Sequence, residues 1–262
     1  MSAPEMATKK NVADKKNEGG WLKGTVDLLV IVAIALAAKT AVAEPFYVPS
    51  ASMEPTLLIG DELLAMKYPY GYGTASLPSF IDLPQSRHVL ASLPKRGDVV
   101  VFRWPGDTSQ IWVKRVIGLP GDKIALKQGR LYINGAVVPL KADGSGEVKT
   151  GDGATMPAQR FTETLPGGKA HPIFKLMASG PLDNMAEITV PPDHVFVMGD
   201  NRDDSADSRV PLQQGGVGLL PVNNLVGRVD ALVGSWDLTM RDKPVWDWPS
   251  GLRLSRFFTA VD

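Results

Sequence analysis

The chain contains no cysteine. Disulfides, thiolate zinc sites and cysteine nucleophiles are therefore excluded. An exported protein need not carry disulfides, so the absence fixes no compartment. Histidine is scarce, with His88, His171 and His194 the only three. A serine nucleophile relying on histidine would have to draw on these. His88 and His171 fall in unpatterned, loop-like stretches and His194 at a strand entrance, which favours surface or turn roles for all three. Charge of either sign in excess is also lacking, with 28 Lys plus Arg against 28 Asp plus Glu. The basic footprint of a nucleic-acid partner is thus missing. There is no internal repeat and no second long apolar run.

What is present suits a strand-rich protein of one or two domains. The 262 residues are 44% hydrophobic, with 26 Gly and 21 Pro punctuating short apolar runs. Asp98-Val-Val-Val-Phe-Arg-Trp104, Ile111-Trp-Val-Lys-Arg-Val-Ile117, His194-Val-Phe-Val-Met198 and the stretch from Leu225 to Val233 read as strands. Arg130 to Val138 reads as a hairpin, because Asn134-Gly135 suits a tight type I′ turn. Residues 69–97 read as a long loop. Residues 141–183 are polar, weakly patterned and read as a peripheral insert.

The N-terminus carries Lys9, Lys10, Lys15, Lys16 and Lys23, followed by eleven unbroken apolar residues from Leu28 to Ala38. Widened to residues 21–48, the segment can cover a bilayer of roughly 30 Å at about 1.5 Å per residue. Trp21 and Lys39 suit the two interfaces. The preceding lysines predict a cytoplasmic N-terminus and an exported body. A core helix and a cleaved signal peptide are the rivals. Ala41-Val42-Ala43 has the form of a cleavage site, and Pro45 just beyond it argues against cutting.

Three polar stretches are candidates for chemistry: Pro49-Ser-Ala-Ser-Met-Glu-Pro-Thr56, Lys114-Arg-Val-Ile-Gly-Leu-Pro-Gly-Asp122 and Gly199-Asp-Asn-Arg-Asp-Asp-Ser-Ala-Asp-Ser-Arg209. Lys114 interrupts an apolar strand. A buried lysine can lose its proton near neutrality and serve as a base. The pattern alone fits a solvent-facing lysine better. The acidic third stretch fails EF-hand spacing and suits a turn stapled by Asp–Arg pairs.

These stretches, in this order, resemble the boxes of bacterial type I signal peptidases, the serine–lysine dyad peptidases. Glu44 to Asp61, Lys95 to Phe102, Lys114 to Asp122, Gly199 to Arg209, Asn224-Leu-Val-Gly-Arg228 and Trp248 to Arg256 carry the likeness, with Asp204 where Asn is usual. The resemblance implies a mainly β, signal peptidase/LexA-like fold, with a transmembrane helix preceding a coiled antiparallel catalytic core and a smaller inserted β domain. On that basis 1–20 would be a cytoplasmic tail, 21–44 a single-pass anchor, 45–125 and 190–262 the core, and 126–189 the insert. Ser52 falls on the nucleophile and Lys114 on the general base. Ser50 and the Ser52 N–H fall on the oxyanion hole, and Ser205 on the serine that orients the lysine. Asp207 and Arg209 fall on a supporting pair, and Phe46, Val48, Val101 and Val113 on the substrate pockets. The implied function is removal of signal peptides from exported preproteins after A-x-A sites, at the bacterial plasma membrane. The partners would be preproteins and membrane lipid, without nucleic acid, metal or cofactor. Rival functions are a serine–lysine protease with another substrate and a silent peptide-binding module.

Overall fold

The computed structural model describes residues 23–31, 42–77, 83–90, 92–149 and 155–261. Two units separate, residues 1–42 and 43–262. In the first, residues 23–31 are helical. Among the described residues no helix is long and apolar enough to cross a membrane. Half of the expected anchor 21–44, residues 21–22 and 32–41, and the lysines of the tail before Lys23, lie outside the described residues.

The second unit is built of fourteen strands among the described residues. The first four are β1 (Ala43–Tyr47), β2 (Asp61–Met66), β3 (Val99–Arg103) and β4 (Ile111–Gly118). Then come β5 (Lys123–Lys127), β6 (Arg130–Ile133), β7 (Ala136–Val137), β8 (Leu140–Lys149), β9 (Thr155–Thr164) and β10 (Ala170–Lys175). The last are β11 (Met185–Thr189), β12 (His194–Met198), β13 (Leu220–Pro221) and β14 (Leu225–Ser235). They form a seven-stranded sheet in the order β1-β2-β14-β3-β4-β12-β13, a four-stranded sheet β11-β5-β6-β7 and a three-stranded sheet β10-β9-β8. The pairings within the sheets are antiparallel.

Local chemistry accounts for these elements. Strand β3 opens on four apolar residues, Val99 to Phe102, because both its faces are covered, and all five of its residues, Arg103 included, are buried. Val99 and Val101 join a core with Leu63, Val229 and Leu232. Val100 and Phe102 join another with Val116, Val197 and Leu225. The hairpin at Asn134-Gly135 forms as expected, both residues having positive φ, 53° and 80°. The four expected strands appear as β3, β4, β12 and β14. The stretch 141–183 differs from the expectation: its weakly patterned residues carry most of a three-stranded sheet. Only Val148, Ala158, Ile173 and Phe174 in its strands supply strongly buried apolar side chains, too few for a clear period-two signal.

The C-terminal segment is tied to β2 by Asp61. Its fully buried carboxylate accepts from Leu58 N at 2.8 Å, Ser235 Oγ at 2.6 Å and Arg256 Nε at 3.0 Å. Asp61→Ala leaves three donors without an acceptor. We expect it to cost about 3 kcal/mol, read as a lower thermal midpoint of the detergent-solubilised chain.

Candidate active site

The Ser52 turn is shaped by its neighbours. Pro49 and Pro55 bracket it, and Ser50 is extended, with φ −132° and ψ 155°. Residues Ala51–Met53 then make one 3₁₀ turn, closed by Glu54 N donating to Ala51 O at 3.0 Å. Met53 and Leu57 are fully buried in the core, and Leu57 N bonds Met53 O at 2.9 Å. These two anchors hold the turn down and leave Ser52 lining a cleft.

Lys114 arrives on β4, paired across from Val100 of β3. It is 4% exposed, so the solvent-facing orientation that pattern alone favoured is corrected. The reason is tertiary: the cleft rather than water receives its side chain. Its Nζ lies 2.8 Å from Ser52 Oγ and 2.9 Å from the Val113 carbonyl. The Trp112 ring centroid is 5.6 Å away, and that indole stacks on Trp104 at 5.1 Å. Burial pushes the Lys114 ammonium down to about 8, outweighing the nearby carboxylates of Asp207, Asp200 and Asp204.

The cleft is about 380 Å³, walled by Phe46, Leu63, Val101, Ile111, Trp112 and Val113, with Ser50, Ser52 and Lys114 as its polar members besides Asp204. Ser50 Oγ is 3.3 Å from Ser52 Oγ. Phe46, Val101 and Val113 thus face the cleft. Val48 does not line it; it is 1% exposed and packs in the core with Met53 and Leu57.

The Gly199–Arg209 segment backs the turn. Asp207 is fully buried and forked by Arg209, Nε to Oδ1 at 2.9 Å and the second amino nitrogen to Oδ2 at 2.7 Å. Gly199 N also donates to it at 2.9 Å. Burial alone would raise the Asp207 carboxyl, but Arg209 and these N–H donors hold it below the ordinary range. Ser205 is buried, and its Oγ has no hydrogen-bond partner among the described residues. The bond to Lys114 implied by the resemblance is thus not among the contacts, since Lys114 turns to the Val113 carbonyl instead.

Local Asp–Arg stapling holds for Asp207 and Arg209 and fails for the rest of the segment. Asp200 pairs with Arg115, Nε to Oδ1 at 2.9 Å and a second bond at 2.8 Å. Arg202 grips Glu163 of β9 through two bonds, at 2.8 and 2.5 Å. His171, expected at the surface, is 2% exposed. Its Nε2 is 3.5 Å from Glu163 and 3.8 Å from Asp200. Burial pushes its imidazole down to about 4, so it is neutral at pH 7. His88 is buried too, its ring nitrogens facing the carbonyls of Tyr70 and Asn223 at 2.9 and 3.2 Å. Sequence reasoning missed this network because its partners lie far apart along the chain. The one available signal was Glu163 and His171 placed symmetrically about Gly167 in the turn between β9 and β10, where they are cross-strand partners.

A serine beside a desolvated amine, in an apolar cleft of an antiparallel β protein, has the chemistry of a nucleophilic hydrolase. Comparison with known proteins extends this. Residues 21–236 match the family model described as signal peptidase, peptidase S26. A signal peptidase I of Rickettsia prowazekii is 38% identical over 250 residues, covering 87% of this chain and 89% of that protein. The one of Rickettsia typhi is 37% identical over 249 residues, with the same shares. That of Rickettsia akari is 33% identical over 270 residues, covering 96% of this chain and 95% of that protein. A crystal structure of a signal peptidase I from Enterococcus faecalis is 24% identical, with a TM-score of 0.31, and covers 53% of this chain and 97% of that one. The chain belongs to the signal peptidase family, peptidase S26, and is a signal peptidase hydrolase.

Gly199 is the tightest point of the site. A Cβ there would stand 2.3 Å from Ser205 Oγ and 2.4 Å from the Ser52 carbonyl oxygen. Gly199→Ala must therefore displace the Ser52 turn or the Ser205 side chain that pack against it. We expect at least a 100-fold loss of preprotein cleavage, with the β fold intact by circular dichroism.

Proposed function

We propose that this chain removes N-terminal signal peptides from exported preproteins as a membrane-anchored endopeptidase, with Ser52 as nucleophile and Lys114 as general base. The 2.8 Å contact between Lys114 Nζ and Ser52 Oγ, made by an amine that is largely buried, carries the proposal. Neutral Lys114 accepts the Ser52 proton, and Oγ attacks the carbonyl before the scissile bond. The oxyanion receives hydrogen bonds from the Ser52 N–H and the Ser50 hydroxyl, each donor contributing roughly 3–4 kcal/mol. Lys114 then returns the proton to the leaving amine, and an acyl-enzyme remains. Water, deprotonated by the same lysine, releases the acyl group. Asp207 and Arg209 hold the segment behind the pair, with Ser205 the hydroxyl beside it. In this reading residues 21–44 anchor the chain in the bacterial plasma membrane with residues 1–20 cytoplasmic. Residues 45–125 and 190–262 form the exported catalytic core, and 126–189 its insert.

The lysine fixes the pH behaviour. Its folded pKa is depressed from 10.5 to about 8. Cleavage should therefore rise with pH and level off above about 8. Between about 8 and 10.5 the unfolded chain binds more protons, so Lys114's burden on stability is full below about 8 and disappears as pH rises through that window. Lys114→Met, which keeps the stem and removes the buried charge, should abolish cleavage. At pH 7 it should also raise stability, by up to about 3 kcal/mol. Lys114→Arg should be inactive, because a guanidinium stays protonated. His194→Ala should cleave normally. Robust cleavage by Lys114→Met, against Ser52→Ala as blank, would sink the serine–lysine pair.

In this reading the apolar walls supplied by Phe46, Val101 and Val113 receive small side chains of the substrate. A preprotein with Ala, Gly or Ser at the first and third positions before the cut should be processed. Leu or Phe at the first position should lower kcat/KM by at least 100-fold; equal rates would contradict this pocket assignment.

A further inference from the structure

The sheet β8–β10 lies outside every motif that marks the family, yet it meets the nucleophile turn directly. Ala51, the residue before Ser52, is 4% exposed and packs in one apolar cluster with Val148 of β8, Ala158 of β9 and Phe174 of β10. A polar clamp adjoins this seat. Phe174 and Asn201 form an isolated parallel bridge: Phe174 N donates to Asp200 O, and Arg202 N to Phe174 O, both at 2.9 Å. The Arg202 guanidinium then closes on Glu163 of β9 and donates from Nε to Gly199 O at 3.2 Å.

Asn201, held on both sides in this way, grips the turn. Its N–H donates to Ser52 O at 3.1 Å and its Nδ2 to Ala51 O at 3.3 Å. Ala51 C=O and Ser52 N–H belong to one planar trans peptide and point in opposite directions. Fixing the carbonyl on Asn201 therefore directs the Ser52 N–H to the opposite side. That N–H is the backbone donor of the proposed oxyanion hole, and such a donor acts only when preorganised to a fraction of an ångström.

We propose that the β8–β10 sheet is the positioning element of the nucleophile turn, with Glu163 and Phe174 as positioning residues. Glu163 acts through Arg202, and Phe174 through Asn201 and Ala51; neither touches substrate. The proposal rests on Ser52 being the nucleophile. It explains why a sheet remote in sequence carries a buried bidentate ion pair, which is no strong source of net stability by itself. It also assigns a place for Glu163, whose carboxyl is held below its ordinary range by Arg202 despite burial.

The test uses the detergent-solubilised full chain and a purified preprotein. Glu163→Gln should lower kcat by at least 10-fold while KM stays within about 2-fold. The paired change Glu163→Met with Arg202→Met replaces both charges by apolar groups of similar length. It should recover the thermal midpoint lost in Glu163→Gln and leave kcat low, because the directed bonds to the loop are gone. Phe174→Leu keeps the backbone bridge and loosens the seat, and it should lower kcat by about 5-fold at unchanged KM. Wild-type kcat in a folded Glu163→Gln, or recovery of kcat together with stability in the double variant, would reduce the pair to a structural staple and overturn the proposal. If Glu163 variants fail to fold, Phe174→Leu decides alone, with wild-type kcat overturning it. Ser52→Ala separates the two levels. Cleavage by Ser52→Ala would refute the nucleophile itself, whereas an inert Ser52→Ala beside a fully active Glu163→Gln refutes only the positioning role.

Discussion

A lysine amine held 2.8 Å from a serine hydroxyl in an apolar-walled cleft is the contact on which the rest of this structure depends. In water that lysine would be charged at neutral pH and useless as a base. Burial supplies the shift that the proposed base needs, and burial of an amine is costly. The seven-stranded sheet provides the rigid platform: β4 delivers Lys114 at a fixed register against β3, and two apolar clusters on either side of β3 fix that register. A surface lysine on a loose strand would have neither the desolvation nor the aim.

The same low dielectric makes the surrounding charges a hazard that the structure neutralises in pairs. Asp207 is matched by Arg209, Asp200 by Arg115 and Glu163 by Arg202. Each of these three carboxylates thus meets a guanidinium at hydrogen-bond distance. An unmatched carboxylate would favour charged Lys114 and raise its pKa, since opposite charge stabilises the ion. His171 lies among these pairs as a neutral ring, its burial outweighing the two carboxylates beside it. Glu54, next in line after Met53, is raised to about 7 by burial, which lessens another negative charge close to the turn.

Much of the fold was legible. Strands β3, β4, β12 and β14 announce themselves by apolar runs, and the Asn134-Gly135 turn by the residues that a positive φ demands. The sheet β8–β10 was not, because its strands bury few large apolar side chains and gain their order by packing on Ala51 and pairing with the Gly199–Arg209 loop. Ser52 and Lys114 stood out by motif and by the break in an apolar strand. Val48 read as a pocket residue by resemblance, yet it packs in the core with Met53 and Leu57. Trp112, which walls the cleft and stacks on Trp104, carried no signal beyond its place in a strand.

Sequence by itself determined the strands β3, β4, β12 and β14 and the exclusion of cysteine chemistry, while the candidate pair of serine and lysine came from the resemblance of its motifs to a known family. Those strands and that exclusion follow from composition and local period, which need no knowledge of neighbours distant in the chain. Only the tertiary structure decided that Lys114 is buried rather than solvated, since the same strand pattern permits both. It alone brought together Arg115 with Asp200, Arg202 with Glu163, and His171 between them. A buried charge needs a partner in space, and the partners here are 85 and 39 residues apart in the chain, beyond the reach of any local pattern.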